Sequence, residues 1–127
     1  MLDTCTFLWL IGNSPRLPES ARTVLTSPDH DAFLSVASLW EILLKHALGR
    51  FDMHVREAPD RYFVSRREAH GVASLPIDEE AVAQLPKLPD LHRDPFDRIL
   101  VCQAIAHGLT IVTPDEAIRR YPVRSFW

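Results

Sequence analysis

What most constrains this chain is a rhythm. Short apolar runs, several closed by an acid or a hydroxyl residue, alternate with longer stretches of helical period. Met1 and Leu2 lead into Asp3, and further strand candidates lie at 32–36, 72–75, 110–112 and 123–127. Between them Leu39, Ile42, Leu43 and Ala47 recur at three- and four-residue spacing, with Gly49 as the stop. Ile99, Leu100, Cys102, Gln103 and 105–106 do the same and end at Gly108. Residues 59–70 and 78–85 read as further, more exposed helices, the former rich in Arg and Glu. Strands alternating with helices predict an α/β sandwich on a mainly parallel sheet. At 127 residues the expectation is one domain, 1–127, able to bury a core without disulfides or a structural metal.

In such sheets functional groups gather at the carboxyl ends of the strands. Asp3 follows the first apolar pair, and Asp115 follows Thr110-Ile111-Val112-Thr113. Glu41 opens the helix after the second strand, and Asp97 lies in the first turn of the helix before the Thr110 strand. On this topology all four reach one sheet edge. Each also has a plainer reading. Ser38-Leu39-Trp40-Glu41 is a capping-box pattern, and Glu41 can pair with Lys45 one turn on. Asp94-Pro95-Phe96-Asp97 reads as a helix cap, a proline at the first helical position and an acid suited to the helix dipole. Asp115 can cap a short helix at 116–120, and Asp3 a helix running through Trp9. Taken together the four are harder to explain that way. Two carboxylates about 5 Å apart repel by roughly 3 kcal/mol at an effective dielectric near 20, so gathering four calls for a cation between them. Hard oxygen ligands without Cys or His at ligand spacing favour Mg²⁺, with Mn²⁺ as the other candidate.

Other chemistries find little footing. There is no HExxH, no G-x-S-x-G elbow and no Walker A loop, and four glycines are too few for a dinucleotide phosphate cradle. A phosphoryl-transfer hydrolase with an Asp nucleophile would carry a second Asp two places after the first, where this chain has Cys5. No apolar run approaches the ~18 residues of a membrane span. No basic segment precedes the apolar start, as a signal peptide would require. Cys5 and Cys102 form no CxxC, and the expectation is two buried or half-buried thiols in a reduced, cytoplasmic protein. A net charge of −3 argues against nonspecific nucleic-acid binding, unless acids gather in one pocket with bases around it. His92, near Asp94, reads as a solvated loop residue or a substrate contact.

Four segments carry a family pattern: Leu2-Asp3-Thr4; Ser38-Leu39-Trp40-Glu41-Ile42 with Lys45 and Leu48-Gly49-Arg50; Asp94-Pro95-Phe96-Asp97-Arg98; and Thr113-Pro114-Asp115. Together they resemble the PIN-domain toxins of the VapC type, over nearly the whole chain from Asp3 to 121–127. The Asp-Pro-Phe-Asp-Arg segment, followed by an apolar helix and Thr-x-Asp, is the most specific part. The resemblance implies a three-layer α/β/α sandwich. It further implies a Mg²⁺-dependent ribonuclease, the toxin of a type II toxin–antitoxin module, with a cognate antitoxin and a homodimeric state. Matched position by position, the catalytic acids are Asp3, Glu41, Asp97 and Asp115, with Asp3, Asp97 and Asp115 on the metal. Asp94 becomes a helix cap or accessory acid, and Thr113 orients Asp115 or a water at the metal. Where the family has several apolar residues before its first Asp, this chain has two. The expectation is a start further upstream, or a clipped strand that holds Asp3 less firmly.

Bases flanking the acids, Lys45, Arg50, Arg93 and Arg98, are the candidates for RNA phosphate contacts. Arg61, Arg66 and Arg67 form a second basic region that reads as solubilising, and the helices around 39–48 and 62–64 could form a groove for an antitoxin peptide. Two alternatives stand beside the nuclease. One is a catalytically silent PIN domain serving as an RNA- or protein-binding module. The other is an Asp-phosphorylated signalling domain, disfavoured because the strands at Ala32 and Val72 end without an acceptor Asp.

Overall fold

Successive residues of a strand point to opposite faces of its sheet, so a strand apolar on both faces needs cover on both. The computed structural model, which describes residues 1–50 and 57–127, supplies that cover. β1 (Ala32–Ser35) pairs in parallel with β2 (Val72–Leu75), and β3 (Thr110–Val112) pairs in parallel with β4 (Arg124–Phe126). Leu2 joins the two pairs, bridging Leu34 on one side and Val112 on the other, again in parallel. The order across the sheet is therefore β2, β1, Leu2, β3, β4. Leu2 N donates to Phe33 O at 2.8 Å, Val112 N to Met1 O at 2.9 Å and Asp3 N to Val112 O at 3.3 Å.

Alternation sorts the side chains into two cores. Leu2, Ala32, Leu34, Val72 and Val112 face α1 (Thr4–Ile11), α2 (Glu19–Thr26), α3 (Val36–Ala47) and α4 (Pro59–Ala69), which contribute Phe7, Leu25, Ile42 and Phe63. Met1 and Ile111, with Phe33 against them, face α6 (Pro95–Ala106) and α7 (Glu116–Arg119), which contribute Leu100, Val101, Ala104 and Ile118. The short α5 (Glu79–Val82) packs on α6. The result is the expected three-layer α/β/α sandwich. Gly49 (φ 67°) and Gly108 (φ 63°) follow the last turns of α3 and α6 in the left-handed conformation that glycine adopts most cheaply. No helix among the described residues is long and apolar enough to cross a membrane.

Several expectations need correction. The strand at 32–36 yields its last residue to α3, whose N-cap is Ser35, with Oγ accepting from Ala37 N at 3.0 Å. The Ser38 capping box therefore does not form. Ser38 Oγ is buried without a hydrogen-bond partner, and Glu41 sits in the second turn instead of opening the helix. The segment at 78–85 divides into α5 and a 3₁₀ turn at Leu85–Lys87 around Pro86, which has no N–H to donate. Arg66 and Arg67 are structural: Arg66 Nη2 donates to Ile11 O at 3.0 Å, and Arg67 Nη1 to Val72 O at 2.6 Å. They tie α4 to the end of α1 and to the start of β2.

Candidate functional site

The carboxyl ends of the central strands carry the acids. Asp3 is buried directly after Leu2 and held at both oxygens. Oδ1 accepts from Thr6 N at 2.6 Å, which makes Asp3 the N-cap of α1, and Oδ2 accepts from Thr113 Oγ1 at 2.5 Å. Thr6 Oγ1 in turn donates to Val112 O at 3.0 Å, so one sheet edge frames the residue. The expectation of a loosely held Asp3 is thus corrected: two donors and the neighbouring strand fix it. Burial pushes its carboxyl above the ordinary range and the charge of Asp115 adds to this, while the Thr113 and Thr6 hydrogen bonds oppose.

Thr113 is fully buried and works both ways. Its hydroxyl donates to Asp3 and accepts from Asp115 N at 3.0 Å. It therefore positions Asp115 through the backbone, and it reaches Asp3 as well, which sequence reasoning did not anticipate. Asp115 itself is exposed and caps α7, Oδ1 accepting from Ala117 N at 2.7 Å.

Glu41 projects from α3 into the protein and is buried. Oε2 accepts from Thr4 Oγ1 at 2.6 Å, and Oε1 pairs with Lys45 Nζ at 2.5 Å. Thr4 was missed as a site residue; its place beside Asp3 was the available signal. The Glu41 carboxylate holds the Lys45 ammonium above its ordinary value, so Lys45 serves Glu41 first and is not simply an outward phosphate contact. Asp97, in the first turn of α6, is partly buried, and its pKa rises from 3.8 to about 7. Burial is the main cause, followed by the charges of Asp94 and Asp115, opposed by His92, with Glu41 adding a smaller upward push. His92 Nδ1 lies 3.3 Å from Asp97 Oδ2, closer to the acids than a solvated loop residue would be. Asp94 is the helix cap, Oδ1 accepting from Phe96 N at 2.8 Å.

The remaining bases divide. Arg98 is turned inward, donating to His92 O at 3.2 Å, whereas Arg50 and Arg93 are exposed. Cys5 is exposed and was expected to be at least half-buried; Cys102 is buried as expected. Local desolvation, then Asp3 and Glu41, raise the Cys5 thiol; Lys45 opposes and Asp97 adds a further rise.

Asp3, Glu41, Asp97, Asp115 and Cys5 therefore feel one another's charge. Among the described residues, no three Asp, Glu, His or Cys side chains stand close enough to enclose a metal ion as placed. Protein donors already occupy three of the acids: Thr113 and Thr6 hold Asp3, Lys45 and Thr4 hold Glu41, and the Ala117 amide holds Asp115. The donor chemistry nevertheless suits a hard cation. All four groups are carboxylates, and burial, with the charge of Asp115 added, raises both Asp3 and Asp97.

No curated protein matches the sequence significantly. Among solved structures, the chain resembles one in the crystal structure of VapBC2 from Rickettsia felis bound to a DNA fragment from their promoter. The TM-score is 0.70 at 16% identity, over 99% of this chain and 96% of that one, a likeness of fold. The sequence model of the PIN domain matches residues 1–123, the span that carries all four acids and β1 to β3 and stops just before β4. The chain belongs to the PIN domain family.

Proposed function

We propose that this protein is a Mg²⁺-dependent ribonuclease, the toxin of a type II toxin–antitoxin module of the VapC type. The carrying observation is that Asp97 lies within the charge of Glu41 and Asp115, and Asp115 within that of Asp3, at the carboxyl ends of the central strands, where burial first and then neighbouring charge raise Asp97 to about 7. Membership of a family whose domains are generally nucleases using divalent metals supports the reading. So does the likeness of fold to a chain of a VapBC complex, which also supports a cognate antitoxin as partner. A cytoplasmic site of action and homodimerisation belong to the same proposal.

Asp3, Asp97 and Asp115 would hold the Mg²⁺ or Mn²⁺ ion. Bound there, it supplies a lowered pKa for water and a counter-charge to the phosphate in the transition state. Thr113 sets the direction of Asp3 and the backbone of Asp115. Thr4 and Lys45 fix the two oxygens of Glu41, leaving it to orient the attacking water towards phosphorus. In-line attack breaks the bond to the 3′-oxygen and leaves 5′-phosphate and 3′-hydroxyl ends.

The test is incubation with a mixed pool of structured RNAs, with Mg²⁺ and with EDTA, beside Asp97→Asn. Cleavage that needs the cation and is lost in the variant is the expected result. Equal cleavage by Asp97→Asn refutes the assignment. A second reading, a silent PIN domain that binds RNA or protein, draws on the protein donors that already occupy Asp3, Glu41 and Asp115. RNA or Mg²⁺ binding by a folded protein that cuts nothing would establish it.

A further inference from the structure

Among the described residues, three aromatic pairs serve the interior: Phe7 and Tyr62 each with Phe63, and Trp9 with Trp127 packed against the core. The pair formed by Trp40 does not. Trp40 on α3 meets Phe96 on α6 edge to face, with ring centroids 6.5 Å apart and planes at 83°. Trp40 is 64% exposed, the most exposed of the large apolar side chains among the described residues. Each ring immediately precedes one of the site's acids, Trp40 before Glu41 and Phe96 before Asp97. α3 and α6 pack on each other, so the pair spans the two helices that carry those acids.

We infer that Trp40, braced by Phe96, is a stacking platform for an unpaired nucleobase of the RNA next to the acids. The inference rests on the ribonuclease reading and adds to it a residue that touches a base of the substrate. An edge-to-face contact occupies one face of one ring only, so the pair itself leaves aromatic faces open to a third ring. A base can lie on such a face only when it is not already stacked inside a duplex, and any of the four bases can do so. The surroundings match a nucleotide. Exposed Arg93 precedes the α6 cap three residues before Phe96, offering positive charge for the sugar-phosphate chain, while Lys45 stays paired with Glu41. Val36, Leu44 and Leu48 continue the exposed stripe of α3 but are aliphatic and present no ring to a base. The pairing with Phe96 sets Trp40 apart from them.

The test uses the full chain carrying Asp97→Asn, which prevents turnover, with Mg²⁺ present. Affinity is measured by anisotropy for a labelled oligoadenylate and for an RNA duplex of the same length. Adding Trp40→Ala is expected to weaken oligoadenylate binding about tenfold, within the range for one stacked base, and to leave duplex binding unchanged. Trp40→Phe, which keeps a ring face, is expected to retain most of the affinity. Because Trp40 is exposed, circular dichroism and melting should show Trp40→Ala folded as its parent. Equal loss for duplex and single strand overturns the inference, as does no loss for either. Dissociation of a dimer by Trp40→Ala with unchanged RNA affinity also overturns it and marks the face as a protein interface. The two readings fail separately. A parent chain that cuts RNA while Trp40→Ala binds oligoadenylate normally sinks the platform alone. A parent that binds through Trp40 but cuts nothing sinks the nuclease alone.

Discussion

Asp97→Asn is expected to make the cation-free protein more stable above neutrality, with no gain in acid. The Asp97 carboxyl has an ordinary value of 3.8 and one of about 7 in the folded protein. Between those values the folded state keeps a proton that the unfolded chain has released. Stability therefore falls as pH rises through that window, and the cost is absent below 3.8 and complete above about 7. At ~1.36 kcal/mol per decade, the displacement sets a ceiling of ~4 kcal/mol. The side chain is 21% exposed, so water screens part of the repulsion, and about 2 kcal/mol is the expected gain at high pH. An amide at this position removes the charge that burial, Asp94, Asp115 and Glu41 all penalise, at the cost of the attraction to His92. The assay is urea unfolding of both proteins in EDTA across the window, repeated with Mg²⁺. The cation should stabilise the parent far more than the variant, so that the two curves approach each other. A variant destabilised equally at every pH, or favoured most in acid, would refute the account of Asp97.

Three further outcomes follow from the same contacts. Cys5 should be alkylated slowly by iodoacetamide near neutral pH, because local desolvation and then the neighbouring carboxylates keep its thiol protonated, and Mg²⁺ should speed the reaction by countering the carboxylates; a rate indifferent to Mg²⁺ would place the cation elsewhere. Thr113→Val should cost about 2–3 kcal/mol in chemical denaturation, through the lost hydrogen bond to Asp3 and the unpaired Asp115 amide, with Thr113→Ser restoring most of it; a Val variant as stable as the parent would contradict the buried bonds described here. Ser35→Ala should cost about 1 kcal/mol and Ser38→Ala nothing, since only Ser35 caps the helix and Ser38 Oγ is buried unpaired; the reverse order would restore the capping box at Ser38.

Sequence reasoning read the outer frame well because its signals there are local. The runs at 72–75 and 110–112 match β2 and β3 residue for residue, and Gly49 and Gly108 stand where α3 and α6 end. Asp94 caps α6 with Pro95 behind it, as an Asp-Pro pair before an apolar helix should. α2 escaped notice because it is short, starts at Pro18 without a side-chain cap and buries only Ala21 and Leu25. The spacing of Leu17, Ala21 and Leu25 was its one trace. Ser38 misled because β1 passes into α3 without a loop, so the true cap is the strand's own last residue. At the site, the places of Asp3 and Asp115 after strands and of Asp97 in the first turn of α6 were readable. Their partners were not: Thr4 with Glu41 and Thr113 with Asp3 are contacts across 37 and 110 residues, which no local pattern encodes.

The place of Leu2 has a consequence for timing during synthesis. Leu2 is the rung between β1 and β3, and its partner Val112 in the second of these strands is made 110 residues after it. A nascent polypeptide can fold α1 to α4 over β1 and β2, yet the slot beside Leu2 stays open until Val112 has emerged. Asp3 likewise lacks its Thr113 donor until then, and Thr113 N gains its partner, Phe126 O, later still. Contacts this distant in sequence close slowly, because the loop they close is long. Copies made only as far as β2 lack Asp97, Asp115 and the Thr113 donor, so the candidate site comes together only after β3 has been made. Chains stalled before Val112 should remain open to protease along the β1 edge, and chains that extend past Phe126 should not.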